Sequence, residues 1–138
     1  MTESTRLSNP LADLLEAFQA FDDWEERYAL LIDLGHQLSP FPPELQTEEN
    51  FVKGCVSQVW MVLSVENGIL HLQADSDGQI TKGLVALLVR IYDGISLDEA
   101  RRVDILSFFK EIGLDQHLTP NRRNGFYAMV ERVKKSLI

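Results

Sequence analysis

Apolar positions along the chain follow two different periods, and the switch between them outlines the fold. Leu11, Leu14, Leu15 and Phe18 recur every three or four residues, the spacing of one helical face. Asn9–Pro10 stands just before them, a capping residue followed by the proline that suits a first helical position. A second helix is predicted from Asp23, with Trp24, Tyr28, Leu31 and Leu34–Leu38 on one side and Gly35 as a weak point in or near its end. "SPFPPELQTEEN" then crowds three prolines into its first five residues, which breaks any regular element and predicts a loop.

From Ser57 to Val65 the residues turn mostly β-branched, apolar or aromatic, as a strand requires. Glu66–Asn67–Gly68 contains the Asn-Gly pair that tolerates the positive φ of a tight hairpin turn. Ile69 to Ala74 runs back with Leu70, Leu72 and Ala74 on one face, and a short strand at Phe51–Val52 is expected to add a third. Asp75–Ser76–Asp77 is expected to end the hairpin and cap the helix "QITKGLVALLVRIYDG". That helix is apolar almost all round from Leu84 to Val89, so it is the central buried one, closed by Gly94. Ser96 and Glu99 form a capping-box pattern, a further short helix spans Ile105–Ile112 and stops at Gly113, and Thr119–Pro120 opens a last helix to about Leu137. The order is two helices, a small antiparallel sheet of about three strands, then four helices. This predicts an α+β fold with helices packed on one sheet face, residues 1–138 forming one domain.

Composition narrows the function classes. With 45% apolar and 25% charged residues the chain has the balance of an ordinary folded domain. A net charge of −8 opposes binding to nucleic acid, whose phosphates need a basic surface. No apolar run reaches the roughly 18 residues that span a bilayer, so no membrane segment is expected. MTESTRLSNP has neither an apolar signal core nor an Arg-rich transit character, and with one free thiol it points to the reducing cytoplasm.

The chain's single cysteine, Cys55, lies in "FVKGCVSQVW". A lone cysteine is ordinarily an inert packing residue. Here Gly54 precedes it, permitting a tight loop, and the position falls between a polar loop and a strand, where functional residues are carried by a rigid scaffold. One cysteine cannot build a zinc or iron–sulfur site, and His36, His71 and His117 show no ligand spacing around it. A Cys–His hydrolase with His117 or His71 as base is one alternative; a thiol that is loaded and unloaded, with a partner doing the chemistry, is the other. Arg122–Arg123 sit at the third and fourth positions of the last helix, where the dipole disfavours cations slightly; they are surface charge, a contact for a partner's carboxylate, or a group that steadies a thiolate. Asp75 and Asp77 read as helix caps, and Trp24 and Trp60 as packing residues, Trp60 close enough in sequence to shield Cys55.

Four motifs in order, "WEERYALLIDLG" at 24–35, "GCVSQVW" at 54–60, "ADSDGQITKGLVA" at 74–86 and "LTPNRRNG" at 118–125, resemble those of the SufE family. The resemblance covers about Leu11 to Val133 and favours the SufE branch over the related CsdE proteins, which carry "GCENRVW" at the cysteine. It implies a fold like that of the IscU scaffold, and a sulfur acceptor that takes persulfide sulfur from a cysteine desulfurase of SufS type. The sulfur would pass to iron–sulfur assembly on a SufBCD-type scaffold. Pyridoxal phosphate would reside on the desulfurase, with no cofactor on this chain. Cys55 would be the acceptor; Gly54, Val56, Asp75, Asp77 and Arg122 would belong to the acceptor loop and the docking surface. A CsdE-type acceptor serving another sulfur pathway is the neighbouring alternative. Val56 replaces the polar residue usual after the cysteine, and Ala74 the usual glycine before "DSD". A persulfide carrier must be sheltered at rest and exposed when docked, so a mobile loop over about Asn50–Val56 is expected, with Phe51, Val52 and Val56 as its apolar cover.

Overall fold

The structure, a computed structural model, describes residues 10–138. The proposed Asn9 cap lies outside them. Its organising element is the hairpin of β1 (Val59–Glu66) and β2 (Ile69–Ser76), closed by Asn67 at φ 54° and Gly68 at φ 76°, the two left-handed positions of a tight hairpin turn. The strands pair antiparallel from Val59↔Ser76 to Glu66↔Ile69. Leu70, Leu72 and Ala74 alternate with exposed neighbours and face the core.

Before the hairpin come α1 (Pro10–Gln19) and α2 (Trp24–His36), the latter capped by Asp23, whose side chain accepts from Glu25 N at 3.1 Å. After it come α3 (Gln79–Tyr92), α4 (Leu97–Arg102), α5 (Ile105–Glu111), α6 (Leu114–His117) and α7 (Pro120–Lys135). The buried side chains join in one cluster to which each of the helices α1 to α7 contributes and which covers one face of the hairpin. The helix α3 is its centre, with Gly83 through Leu88, Ile91 and Tyr92 all buried. Its approach to α2 is closer than side chains allow: a Cβ on Gly83 would overlap the Leu31 carbonyl, and one on Gly35 would stand 3.0 Å from Gly83 N. Gly35 thus lies buried within α2 as a packing requirement rather than a weakness.

Three local expectations are corrected. The sheet among the described residues has two strands, and the segment at Phe51 is an isolated bridge to Trp60. Five helices follow the hairpin, because the four-residue α6 is too short to show a period. Asp75 and Asp77 do not cap α3. Strand β2 continues to Ser76, opposite Val59, and the cap position falls on Gly78, which offers no side chain.

Candidate functional site

Cys55 sits on a loop whose two feet are tied together. Val52 N donates to Val59 O at 2.8 Å and Met61 N to Asn50 O at 2.8 Å, flanking the Phe51–Trp60 bridge. The rings of Phe51 and Trp60 pack edge to face across it, 6.2 Å apart. Residues 53–58 therefore bulge from a closed neck, with Val52 and Val59 buried at its base.

The bulge lies along α7. The Cys55 thiol donates to Gly125 O at 3.5 Å, and a Cβ on Gly125 would stand 3.3 Å from both Cα and Sγ of Cys55. Helix α7 can host this glycine, which costs about 1 kcal/mol of helix propensity against alanine, because Thr119 and Pro120 start the helix well. Gly54 takes φ 96°, a conformation that strains any other residue, and turns the chain so that Cys55 points at the helix. The thiol is half-buried, and burial pushes its pKa above the ordinary thiol range. Val56 is 66% exposed, so it caps nothing; shelter comes from α7 and not from Val56 as expected.

The far side of the bulge is held by α3 and its approach. Ser57 Oγ accepts from Thr81 Oγ1 at 3.3 Å, and the bare Cα of Gly78 leaves the space Ser57 fills. Asp77 accepts from Gln58 N at 2.9 Å, a loop-anchoring role in place of the predicted cap. Asp75 stands apart, opposite Trp60 in the hairpin and 3.3 Å from Lys82 Nζ. Trp60 belongs to the neck. Arg122 lies three residues before Gly125, one turn along the same face of α7. Its backbone N–H bonds Thr119 Oγ1 at 3.3 Å, and among the described residues no hydrogen bond or ion pair engages its part-buried guanidinium. Arg123 instead donates to Asp115 O at 2.8 Å.

Neither candidate base, His117 or His71, bonds Cys55. His117 stacks on Trp24 at 3.8 Å with Nδ1 3.0 Å from Gly113 O, and Tyr28 donates to its carbonyl. His71 is exposed on β2 and lies 3.8 Å from Glu66. Among the described residues no imidazole bonds Cys55, and no His, Cys, Asp and Glu side chains cluster as metal ligands. No described helix is long and apolar enough to cross a membrane.

The SufE family model, described as an Fe-S metabolism associated domain, matches residues 12–137. The chain belongs to the SufE family. An uncharacterized SufE-like protein of Rhizobium meliloti is 39% identical over 128 residues, covering 90% of this chain and 91% of the relative. Another from Rhizobium etli is 39% identical over 129 residues, covering 91% and 87%. A solution structure of a hypothetical protein from Thermus thermophilus superposes with a TM-score of 0.76 at 25% identity, covering 93% of each chain. The SufE assignment read from the motifs and the α+β fold read from the order of the elements both stand.

Residues of this SufE site that sequence reasoning did not single out are Gly125, Ser57, Gly78, Thr81 and Arg132. A glycine inside an otherwise regular helix was the one available signal, because such a position commonly marks a close approach.

Proposed function

We propose that this protein is a sulfur carrier whose Cys55 takes a persulfide sulfur from a cysteine desulfurase of SufS type and hands it on to iron–sulfur assembly. The observation that carries the reading is the placement of the chain's single thiol on a bulge with a fixed neck, resting against a glycine of α7 through one weak S–H···O bond. Membership of a family associated with Fe–S metabolism supports it.

In the transfer, the Cys55 thiolate attacks the terminal sulfur of the desulfurase's cysteine persulfide. A bond forms between Cys55 Sγ and that sulfur, the bond to the desulfurase cysteine breaks, and its thiolate leaves. The sulfane sulfur moves intact, so no external oxidant or reductant is needed. Burial favours the protonated thiol at rest, which slows attack, and the same shelter against α7 limits the access of stray oxidants to a loaded sulfur. Lifting the bulge from α7 restores water to the sulfur and lowers its pKa toward the ordinary value. Pyridoxal phosphate belongs to the desulfurase, and a SufBCD-type scaffold receives the sulfur in the cytoplasm. In this reading Val56, exposed beside the thiol, and Arg122, one turn from Gly125, meet the desulfurase.

The test is direct. The protein is incubated with a SufS-type desulfurase, pyridoxal phosphate and cysteine, and its intact mass is recorded. A gain of one sulfur atom, lost in Cys55→Ser, is expected. Absence of that gain in the wild-type chain refutes the reading.

A further inference from the structure

Neck and tip of the Cys55 loop are secured by different chemistry, and both contacts come from α7. At the tip there is one weak donor, the thiol, on Gly125 O at 3.5 Å. At the neck the guanidinium of Arg132 donates through Nη1 to Phe51 O at 3.0 Å and through Nη2 to Glu49 O at 2.6 Å.

The two carbonyls come from a bridge and from the turn before it. Asn50 O and Val52 N bond β1, so the carbonyl of Phe51 between them points the other way, while Glu49 lies in the preceding turn, closed by Asn50 N on Thr47 O and Phe51 N on Glu48 O, both at 3.2 Å. Among the described residues no further strand lies along that outer edge. Arg132 supplies two donors in a fixed planar fork and so ties the turn carbonyl and the bridge carbonyl together onto α7. The expected third strand is reduced to a bridge because turns stand on both sides of it, at 48–50 and 53–54. The neighbouring turn is secured as well, since Asn50 Nδ2 donates to Leu45 O at 2.9 Å. Gly125 and Arg132 are seven residues apart, two helical turns, which returns them to one face of α7 roughly 10 Å from each other.

We propose that Arg132 is a positioning residue for sulfur transfer: it bolts the neck of the Cys55 loop to α7, so that opening is confined to residues 53–58 and returns the thiol to one place. The proposal rests on the carrier reading for its purpose, though not for its geometry. A charged, bidentate contact at the neck outlasts the single S–H···O bond at the tip, and the loop opens by lifting its tip rather than by peeling away from Phe51.

The experiment uses the full-length chain and three variants, Arg132→Ala, Arg132→Gln and Arg132→Lys. Hydrogen exchange is read at the Val52 and Met61 amides, with core amides of α3 as the folding control, and Cys55 alkylation by iodoacetamide is followed against pH. Arg132→Ala is expected to speed exchange at Val52 and Met61 at least tenfold while α3 stays protected. Alkylation should accelerate severalfold, with its pH midpoint lowered as the thiol loses cover. With a desulfurase, the apparent KM for this chain should rise severalfold and kcat change less. Arg132→Lys, which offers a compact cation in place of the fork, should fall between wild type and Arg132→Ala in exchange and alkylation. Should Arg132→Ala fail to fold, Arg132→Gln and Arg132→Lys decide the matter by the same readings. Unchanged exchange and alkylation in the folded variants overturn the proposal, and so does a lysine that restores full wild-type protection. A chain that gains no sulfur refutes the carrier reading alone, because the exchange and alkylation arms need no desulfurase.

Discussion

The Sγ atom of Cys55 lies 3.5 Å from the carbonyl oxygen of Gly125, so the chain's only thiol is held against a helix at a position without a side chain. The contact is sequence-remote and weak, and both properties shape what the site does.

Gly125→Ala should raise thiol reactivity without the loss of stability usual for a buried substitution. The added Cβ meets Cys55 Cα and Sγ at 3.3 Å, tighter than ordinary contact, and the loosely held tip gives way before the helix does. Alanine meanwhile recovers up to about 1 kcal/mol of helix propensity. Alkylation of Cys55 is expected to accelerate severalfold, with the denaturation midpoint unchanged or slightly raised. A slower alkylation would contradict the floor role of Gly125.

The pH dependence follows from the raised thiol pKa. The folded state holds the Cys55 proton more tightly than the unfolded chain does, because burial disfavours the thiolate. This stabilisation is fully present below the unfolded thiol value of about 8.5 and is lost as pH rises through the folded value. Stability of the wild type should therefore fall relative to Cys55→Ser as pH is taken above that range. Denaturant titrations of both proteins at stepped pH test this, and a constant gap between them would exclude it.

Asp77 separates loop anchoring from docking. Its carboxylate accepts from Gln58 N at 2.9 Å, so Asp77→Ala should cost about 1 kcal/mol and loosen the bulge. Asp77→Asn keeps an acceptor while removing the charge. If anchoring is the main role, Asn restores both stability and slow alkylation. If the charge meets a partner, Asn keeps the loop closed yet weakens desulfurase binding, which titration calorimetry would register.

Arg122 should behave in the opposite manner. Its guanidinium has no hydrogen-bond or ion-pair partner among the described residues, so Arg122→Ala is expected to change stability by no more than about 0.5 kcal/mol. Sulfur uptake from a desulfurase should nevertheless weaken severalfold through KM. A normal KM would remove Arg122 from the docking surface.

Much of the fold was legible because its signals are local. The Asn67–Gly68 turn, the Ser96–Glu99 capping box and the Thr119–Pro120 helix start all appear as their residue types require. Asp75–Ser76–Asp77 misled because an aspartate ending a strand and one capping a helix look alike in sequence. Only the pairing of Val59 with Ser76 decides between them, and pairing is a property of two segments. The candidate site divides the same way. Cys55 and Gly54 could be singled out where they stand, whereas the Arg132 contacts span 81 and 83 residues and leave no local trace. Gly125 was half legible: its presence inside a helix signals a close approach without saying what approaches.

The closed neck also sets a working radius. With Val52 held to Val59, only three peptide links separate Cys55 from its nearer anchor, and extended they span at most roughly 10 Å. A tether this short makes the protein a crane with a stubby arm. Any donor or recipient of its cargo must bring its own reacting atom almost to the surface of this fold, and a sulfur lying deeper than that in a partner is out of reach however strongly the two proteins bind.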